Sequence, residues 1–480
     1  MATNLNLVRN SRVFFTTNVD SAGVVLGTGT TVNNTFEIQV LDGFTFSQNT
    51  NADVVTLSEA GVAPVRGQRS FNTSLAPVDF SFSTYMRPYN ATTSITAEES
   101  VLWNALFGAQ DISSANTITV GGTVSTATYA FSAGVGTLTI GGTGMTYAGV
   151  AVNDWIVVGG LTHATDGTII NSAGQIKTLS ATSITIELAT PKAAGAAIGS
   201  ITVSALKFYK SAWAPVTSTY SVVTTAGSNL NQLQKFGLIF VVDSVTYAVD
   251  NCAMGQVTLD FGLDAIATLA WTGQATALRE LPTAVLSGST FSGGLVGTAA
   301  AKQTAARYIT NKLSTVSLSL VNAIGAASAG TSYAVALTGG SITINNNITY
   351  ITPANLGVVN TPITYFMGTR AITGTMNAYL KTGSGAASTG QLLQDMLAAA
   401  SASVEPMVTL SISVGGSTNA TKVVIDMPAA TISIPAIDVQ QVVSTNINFT
   451  AQGYTPSSTA NANVFSLDKT SDLAVRYYAA

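Results

Sequence analysis

Hydrophobic and polar residues alternate along most of this chain, which is the period of a half-buried β-strand. The clearest run is residues 78–89, whose apolar face consists of Val78, Phe80, Phe82 and Met86. Threonine, valine and isoleucine recur in such runs, and their branched side chains suit a pleated surface. The pattern predicts an all-β protein.

The first strand pair is predicted at residues 36–48, where two alternating runs flank Asp42-Gly43, a strong hairpin signal. Residues 49–77 then form a long polar segment that contains several glycines and prolines. Connections of this length are uncommon in compact domains and usually carry function. We therefore expect a functional loop here.

Two short helices are predicted, each after a strand. Thr96 and Glu99 have the spacing of a capping box, and so do Ser388 and Gln391 later in the chain. Apolar residues at helical spacing follow both pairs. The start of a helix also accounts for the neighbouring carboxylates of Glu98 and Glu99, because acidic groups are favourable there.

The order of strand, capped helix and terminal strand occurs twice. The matched positions are Val78 with Ile372, Phe82 with Met376, Met86 with Leu380, Leu269 with Ile447, and Trp271 with Phe449. The competing interpretation is that any two Thr/Ala-rich β segments show matching alternation. Recurrence of the same order favours a duplication.

The predicted fold is all-β, with two tandem β-sandwich or barrel domains that each carry one short helix. The first domain is discontinuous, at 1–109 and 206–280, because Gly/Thr-rich short strands of different character occupy residues 110–205. That segment is predicted to be a small inserted β-barrel-like domain. Residues 281–308 suit a linker or an arm, and 309–480 form the second domain with its C-terminal arm.

The low content of charged residues suggests that other subunits cover much of the surface. Only 9% of the residues are charged, against about 25% in an average soluble domain. The formal net charge of −4 disfavours a nucleic-acid binder that relies on basic patches. The N-terminal residues contain no continuous apolar segment, so we expect no signal peptide. No apolar run approaches the roughly 20 residues that a membrane span needs, so we expect no membrane span and a cytoplasm-like compartment at first.

No catalytic or metal-binding constellation is predicted. The single histidine, His163, has only Asp166 nearby in a Gly-rich turn, and the single cysteine, Cys252, is expected to be a buried apolar side chain. The glycine-rich segment at 141–149 lacks the lysine and the strand-to-helix context of a phosphate loop. We therefore expect no cofactor and no enzymatic activity.

The motif order in residues 36–108 and 236–275 resembles that of the major tail tube proteins of long-tailed bacteriophages. The second half fits less closely, since "ITINNNITYITP" stands where "FEIQVLDG" has its counterpart. The resemblance implies β-sandwiches whose inner sheets join neighbouring subunits into a barrel around a hollow ring. Most such rings have six members, so a chain with two copies would complete a pseudo-sixfold ring as a homotrimer.

The resemblance also implies candidate contact residues. The ring-stacking loop would lie in the 49–77 segment, with candidates Asn49, Asn51, Asp53, Glu59, Arg66 and Arg69. The strands of the intersubunit sheet would include Phe80, Phe82, Tyr85, Leu269, Trp271, Met376, Tyr379, Ile447 and Phe449.

The implied partners are other copies of the chain, the tail terminator, tape measure and baseplate proteins, and double-stranded DNA in transit without specific binding. The implied location is the tail tube of the virion, after assembly in the host cytoplasm, with no membrane contact. Two alternatives stay open: an adhesive or surface-layer β-protein, which would need an export signal, and a virion decoration or tail-spike component.

Overall fold

The protein is described from a computed structural model. The structure describes residues 11–20, 22–26, 35–41, 43–55, 69–91, 94–107, 117–118, 120–132, 135–147, 155–162, 169–188, 207–209, 213–216, 219–223, 233–242, 245–263, 265–281, 290–291, 308–320, 327, 331–381, 388–401, 407–415, 421–439, 442–452 and 472–478. The all-β fold class is confirmed, because strands dominate these residues and only two short α-helices occur among them.

The N-terminal part contains six strands and a helix. The elements are β1 (Arg12–Thr16), β2 (Thr35–Ile38), β3 (Thr45–Val55), β4 (Arg69–Tyr85), β5 (Pro88–Ala91), β6 (Ser94–Ala97) and α1 (Ser100–Phe107).

A separate sheet follows, with the strand order β7-β13-β10-β11-β12-β9-β8. Its strands are β7 (Thr117–Ile118), β8 (Val120–Ser132), β9 (Val135–Tyr147), β10 (Trp155–Thr162), β11 (Ile169–Leu179), β12 (Ser183–Leu188) and β13 (Lys207–Tyr209). The β11–β12 hairpin turns at residues 180–182, as the alternation predicts. Since β13 pairs with β10 and β7, this sheet reaches Tyr209 rather than ending at 205.

The chain then returns to the first sheet system with β14 (Trp213–Val216), β15 (Thr219–Val223), β16 (Phe236–Val242), β17 (Val245–Asp260), β18 (Thr268–Ala275), β19 (Ala277–Glu280) and β20 (Thr290–Phe291). The C-terminal part contains a 3₁₀ turn (Asn311–Leu313), β21 (Thr315–Leu320), β22 (Ser332–Tyr333), β23 (Ala336–Asn345), β24 (Ile348–Ile351), β25 (Thr364–Met367), β26 (Ala371–Tyr379), α2 (Thr389–Ser401), β27 (Met407–Gly415), β28 (Lys422–Ile432), β29 (Ala436–Asp438), β30 (Ser444–Ala451) and β31 (Ala474–Tyr478).

Strand pairing recurs in the same order in the two halves of the chain. The first half runs β1–β16–β17–β18–β4–β3 and the second runs β21–β27–β28–β30–β26–β23. The helix lies between the equivalent strands in both: α1 between β4 and β16, and α2 between β26 and β27. The two halves therefore have one topology.

The two halves join along a strand edge. The C-terminal part of β17 pairs antiparallel with β23, so that β3–β4–β18–β17–β23–β26–β30–β29 form a continuous run of strands, called the shared sheet below. The N-terminal part of β17 pairs instead with β16 and β19. The change of sheet occurs near Asn251, whose φ of 50° lies in the left-handed region.

One hydrophobic core runs under both halves of the shared sheet. Trp271 and Met376, from different halves, belong to the same buried cluster. Trp271 Nε1 donates a hydrogen bond to Thr84 Oγ1 at 2.9 Å, so its one polar atom is satisfied inside the core. Trp103 of α1 donates to the hydroxyl of Tyr477 on β31 at 2.7 Å. The last strand of the chain is thereby tied to the first helix.

The predicted hairpin at Asp42-Gly43 is wrong. β2 pairs with β1 and β20, and β3 pairs with β4. Gly43 does adopt a positive φ of 100°, but the chain there crosses from one sheet to the other. The local Asp-Gly signal places a bend at Gly43, but the pairing partner of β2 is decided by its packing against β1.

The predicted loop at 49–77 is also corrected where the structure describes it. β3 continues to Val55 and β4 begins at Arg69, and the two form an antiparallel arm that extends the shared sheet. Polar side chains support this arm, since Asn51 Nδ2 donates to Ser74 Oγ at 2.9 Å. Residues 56–68 lie outside the described part.

In the terminal strands β18 and β30, the residues that are equivalent in the structure differ from those matched in the sequence. Ile447 pairs with Met376, as Trp271 pairs with Phe82, so Ile447 is the counterpart of Trp271 rather than of Leu269. The match was therefore two residues out. A shift of two keeps every side chain on its face, which is why alternation alone does not detect it.

Candidate functional site

One face of the shared sheet is polar across all its strands. A single row of paired positions shows its character: Ser83, Ala270, Thr258, Thr343, Thr373 and Thr450. The opposite face supplies the core. A groove of about 450 Å³ crosses this polar face, and hydroxyl and amide side chains line much of it.

Three acidic side chains lie on the central part of this polar face. Asp79 and Asp260 are exposed, and Asp438 occupies the position on β29 that Asp260 has on β17. Gln274 Nε2 donates to Asp79 Oδ1 at 2.9 Å, which holds that carboxylate beside the groove. The polar side chains among the described residues that line the groove are hydroxyls, amides and a carboxylate with no lysine or arginine among them, so the groove offers a polyanion no cationic partner.

The joint between the halves is a well-packed strand pair. Leu259 lies opposite Ile342, and Val257 lies opposite Ile344, with all four side chains buried. On the polar face the hydroxyls of Thr258 and Thr343 lie 3.2 Å apart. This joint shows how one half pairs with the next.

The two outer edges of the shared sheet lie on β3 and β29. At the joint, β17 of the first half contributes Leu259, which is 3% exposed. Its counterpart on β29 of the second half is Ile437, which is 48% exposed. Pro435 directly precedes β29, and proline in a strand marks an edge because it lacks an N–H group. An apolar side chain on an open edge is an association site.

The predicted intersubunit strands lie in the interior of the shared sheet. β4 and β18 pair with each other and with further strands of the same chain, and the same holds for β26 and β30. The side chains that the sequence singled out are mostly buried in the core: Phe80, Phe82, Leu269, Trp271, Met376, Ile447 and Phe449. Tyr85 is half-buried and Tyr379 exposed at one end of the sheet. Among the strands that the structure describes, β3 and β29 are the outer ones of this sheet, each paired on one side.

The predicted stacking residues are only partly brought together. Asn49, Asn51 and Asp53 lie exposed on the β3 arm, with Arg69 on the paired strand. Glu59 and Arg66 lie outside the described residues. The sequence analysis missed the hairpin β24–β25, which reaches the same end of the sheet: Leu75 N donates to Asn360 O at 2.8 Å. Its exposed Leu356, Val358 and Val359 were a detectable signal.

The two adjacent glutamates do more than start a helix. Glu98 forms a buried ion pair with Arg87, at 2.8 Å between Oε2 and Nε. Glu99 accepts a hydrogen bond from the hydroxyl of Tyr477 at 2.5 Å. Burial raises the pKa of Glu99 to about 8, and the hydrogen bond from Tyr477 opposes that rise.

Thr96 lies in β6, so the predicted capping box is not formed, whereas Ser388 Oγ does accept from Gln391 N at 3.2 Å.

No group of three or more metal-ligating side chains occurs among the described residues. Cys252 is buried, and the burial raises the pKa of its thiol well above the usual value. His163 and Asp166 lie outside the described part. None of the helices described is long and apolar enough to cross a membrane.

Duplicated β-sandwiches that share a sheet with open edges are typical of proteins that assemble by strand pairing. The sequence profile of the phage tail tube protein family matches residues 170–451, more than half of the chain. The chain belongs to the phage tail tube protein family. It is also similar to tail tube protein pb6 of Escherichia phage T5, with 23% identity over 453 residues that cover 93% of this chain and 72% of the relative.

Membership in this family makes the protein a structural subunit of a phage tail tube and a component of the virion tail. It confirms the resemblance that the first-half motifs carry. No similarity favours the adhesive, surface-layer, decoration or tail-spike alternatives.

Proposed function

We propose that three copies of this chain close one ring of the tail tube, with β29 of each chain paired to β3 of the next. The support is the joint inside the chain, where the first half already pairs with the second in this way. Each chain contributes two domains of one topology. A ring of six domains therefore takes three chains, and every second contact in the ring lies inside a chain.

The joint also predicts the register of the contact between chains. Leu259 of β17 corresponds to Ile437, and Ile342 of β23 corresponds to Phe46 of β3. Ile437 of one chain would then lie opposite Phe46 of its neighbour, and Ala436 opposite Ser47. Burial of Ile437 and half-buried Phe46 would complete the core under the ring.

The polar face of the shared sheet is the proposed wall of the channel. A closed ring would direct it inward, because the apolar face is covered by the core. Asp79, Asp260 and Asp438 give it a negative charge that repels phosphate, so double-stranded DNA would pass without being retained. The role is mechanical and non-enzymatic, and the partners are other tail proteins: the terminator, the tape measure and the baseplate. Assembly would take place in the host cytoplasm.

Cysteine cross-linking tests the proposed contact. The substitutions Ala436→Cys and Ser47→Cys would place thiols on directly opposed strand positions, within reach of a disulfide. The native thiol of Cys252 is buried and will not compete. We expect oxidation to give covalent species of up to three chains, and native mass spectrometry to give three times 49.1 kDa.

The matched control combines Ala436→Cys with Ser401→Cys, an exposed position at the end of α2. That pair should stay uncross-linked. Covalent species of six chains would refute the ring size but not the edge contact. Rings that form normally without cross-linking of the first pair would refute the edge contact itself.

A further inference from the structure

The two helices occupy equivalent places in the two halves of the chain. Glu98 N donates to Arg87 O at 3.2 Å near the start of α1. Gly390 N donates to Lys381 O at 3.0 Å near the start of α2. Each helix also directs a buried pair at i, i+4 into the main core: Leu102 with Leu106, and Leu392 with Met396. Alignment of these two pairs allows α2 to be compared with α1 position by position.

The second half of the chain covers the outer face of α1. Trp103 Nε1 donates to the hydroxyl of Tyr477 on β31 at 2.7 Å. The guanidinium of Arg370, just before β26, lies 5.5 Å from the ring centroid of Phe107. As a result, Trp103 is 2% exposed and Phe107 is 8% exposed. One half thus shields the helix of the half that precedes it.

The same face of α2 is open in the part of the chain that the structure describes. The alignment places Leu393 at the position of Trp103, and Leu397 at that of Phe107. Leu393 is half-buried and Leu397 is 50% exposed. The same contrast, a buried residue in the first half and an exposed one in the second, marks the sheet edge at Ile437. We call the surface formed by Leu393 and Leu397 the α2 face.

β19 in the first half occupies the place that β31 occupies in the second. Each pairs with the N-terminal part of a long strand, β19 with β17 and β31 with β28. The bulges in the two long strands align Tyr247 of β17 with Ile425 of β28. Glu280 pairs with the former and Val475 with the latter. Val475 is 1% exposed, whereas Glu280 is exposed, so the end of β19 lacks the cover that α1 gives to β31.

We infer that the α2 face of one chain docks on β19 of the next chain in the ring, with Lys381 beside Glu280. This inference rests on the three-chain ring proposed above. The rotation that carries the β17–β23 joint onto the β29–β3 contact also carries the α1–β31 contact onto a contact between α2 and β19. The helix contact would be continuous with the proposed strand pairing and would add a second layer to it.

Charge complementarity supports a second copy of the chain as the occupant. Lys381 is exposed next to the first turn of α2, where its backbone N donates to Thr389 Oγ1 at 2.7 Å. Glu280 is the last residue of β19 and is exposed. The contact would place Leu397 at an apolar centre and an oppositely charged pair at the rim, as in most specific protein contacts. Opposite charges at a rim favour the correct partner and speed its association.

Charge reversal tests the pairing of Lys381 with Glu280. Lys381→Glu alone and Glu280→Lys alone each put like charges at the contact, so we expect the protein concentration for half-maximal ring formation to rise about tenfold at low salt. The double variant restores opposite charges and should return to within about twofold of wild type. The defect of each single variant should shrink at high salt, because salt screens exposed charges. Single variants that assemble like wild type, or a double variant no better than the single ones, would overturn the inference.

Leucine-to-aspartate substitution tests the apolar centre. Leu397→Asp should raise the concentration for half-maximal ring formation roughly tenfold or more, because the contact would bury an unpaired charge. Leu26→Asp is the matched control: Leu26 is 45% exposed, and the adjacent Val25 packs with Phe14 on the side of β1 that faces away from the main core. Equal ring formation by these two variants would contradict the docking of α2. If Leu397→Asp fails to fold by circular dichroism, Leu397→Ser and Leu26→Ser replace the pair in the same comparison.

Mass photometry of the same samples separates this inference from the ring proposal. If the protein with Ala436→Cys and Ser47→Cys closes into covalent trimers but the α2 variants assemble like wild type, the ring stands and the α2 contact is refuted. Wild-type protein that forms no rings of three chains would contradict the ring and the α2 contact together. A carbodiimide joins a lysine to a carboxylate only in direct contact, so we expect an interchain amide between Lys381 and Glu280 in wild-type rings, detected by peptide mass spectrometry.

Discussion

Replacing Glu99 by glutamine should remove a pH-dependent weakness from the fold. Glu99 is 2% exposed at the start of α1, where the hydroxyl of Tyr477 donates to its carboxylate and in turn accepts from Trp103. Burial disfavours the ionised carboxylate and raises its pKa from 4.5 to about 8. The folded protein therefore binds a proton that the unfolded chain has released at neutral pH.

The magnitude follows from that shift. One pKa unit corresponds to about 1.36 kcal/mol, so the full difference is about 4–5 kcal/mol. Because the pKa is higher in the folded state, the stability from protonated Glu99 is complete below about pH 4.5, decreases as the pH rises to about 8 and stays constant above. At pH 7 about 3 kcal/mol of it should be lost.

Urea unfolding at a series of pH values, followed by tryptophan fluorescence, measures this effect. Relative to Glu99→Gln, the wild type should lose several kcal/mol of unfolding free energy between about pH 5 and pH 8. Protein concentration must be constant, since assembly adds stability. Glu280→Gln, at an exposed carboxylate on β19, is the control and should leave the slope unchanged. Equal slopes for wild type and Glu99→Gln would refute the buried-carboxylate reasoning.

Three further changes test the core, the N-terminal segment and the channel wall. Gly374→Val should cost about 1–3 kcal/mol in urea unfolding, because a Cβ at Gly374 would lie 2.3 Å from the ring of Phe449; an unchanged midpoint would contradict the close packing. Arg279→Met should cost about 1–3 kcal/mol by the same assay, since it removes the 2.7 Å ion pair to buried Asp250; a neutral result would show the pair to be dispensable. Asp79→Lys should leave tubes intact but slow DNA ejection roughly tenfold at low salt; an ejection rate equal to wild type at every salt concentration would refute the role of charge in the wall.

The sequence predicted the strands and their faces better than their partners. Alternation identified β4 and β26 and the buried face of each, because side chains in a strand necessarily point to alternate sides. The partner of a strand depends on contacts distant in sequence. The turn at Gly43 was therefore detected but assigned to a hairpin that does not exist.

The difference between local and long-range contacts also explains why the cap at Ser388 was predicted and the buried state of Glu99 was not. The capping signal at Ser388 is local, and the structure forms that cap. Glu99 is buried by residues distant in sequence, among them Tyr477, which lies 378 residues away. Only the assembled core brings them together, so no local pattern could predict a raised pKa there.

The sequence contains a signal for the edge strand β29, but the signal can be interpreted only once the pairing of β17 with β23 is known. Pro435 indicates an edge strand. In the sequence alone, however, Ile437 resembles any other core residue. Only the structure shows that its counterpart Leu259 is buried at the joint while Ile437 is exposed. The choice of Trp271 and Phe449 followed the matched positions of the two halves and the resemblance instead. Large residues mark the core of such a sheet, whereas the association site proposed here on β29 is a short, exposed strand at its margin.

The long strand β17 gives the duplication its physical advantage. Its N-terminal part belongs to the outer sheet of the first half and its C-terminal part holds the second half through β23. In a ring of three chains, half of the edge contacts would thus form within a chain, where no translational entropy is lost on association. Each remaining β29–β3 contact would copy a pairing already formed within the chain, and once two contacts have joined three chains the third would close the ring intramolecularly, at a high effective concentration. In the proposed ring, a short edge strand of three residues, too small to promote aggregation by itself, would then be sufficient for closure.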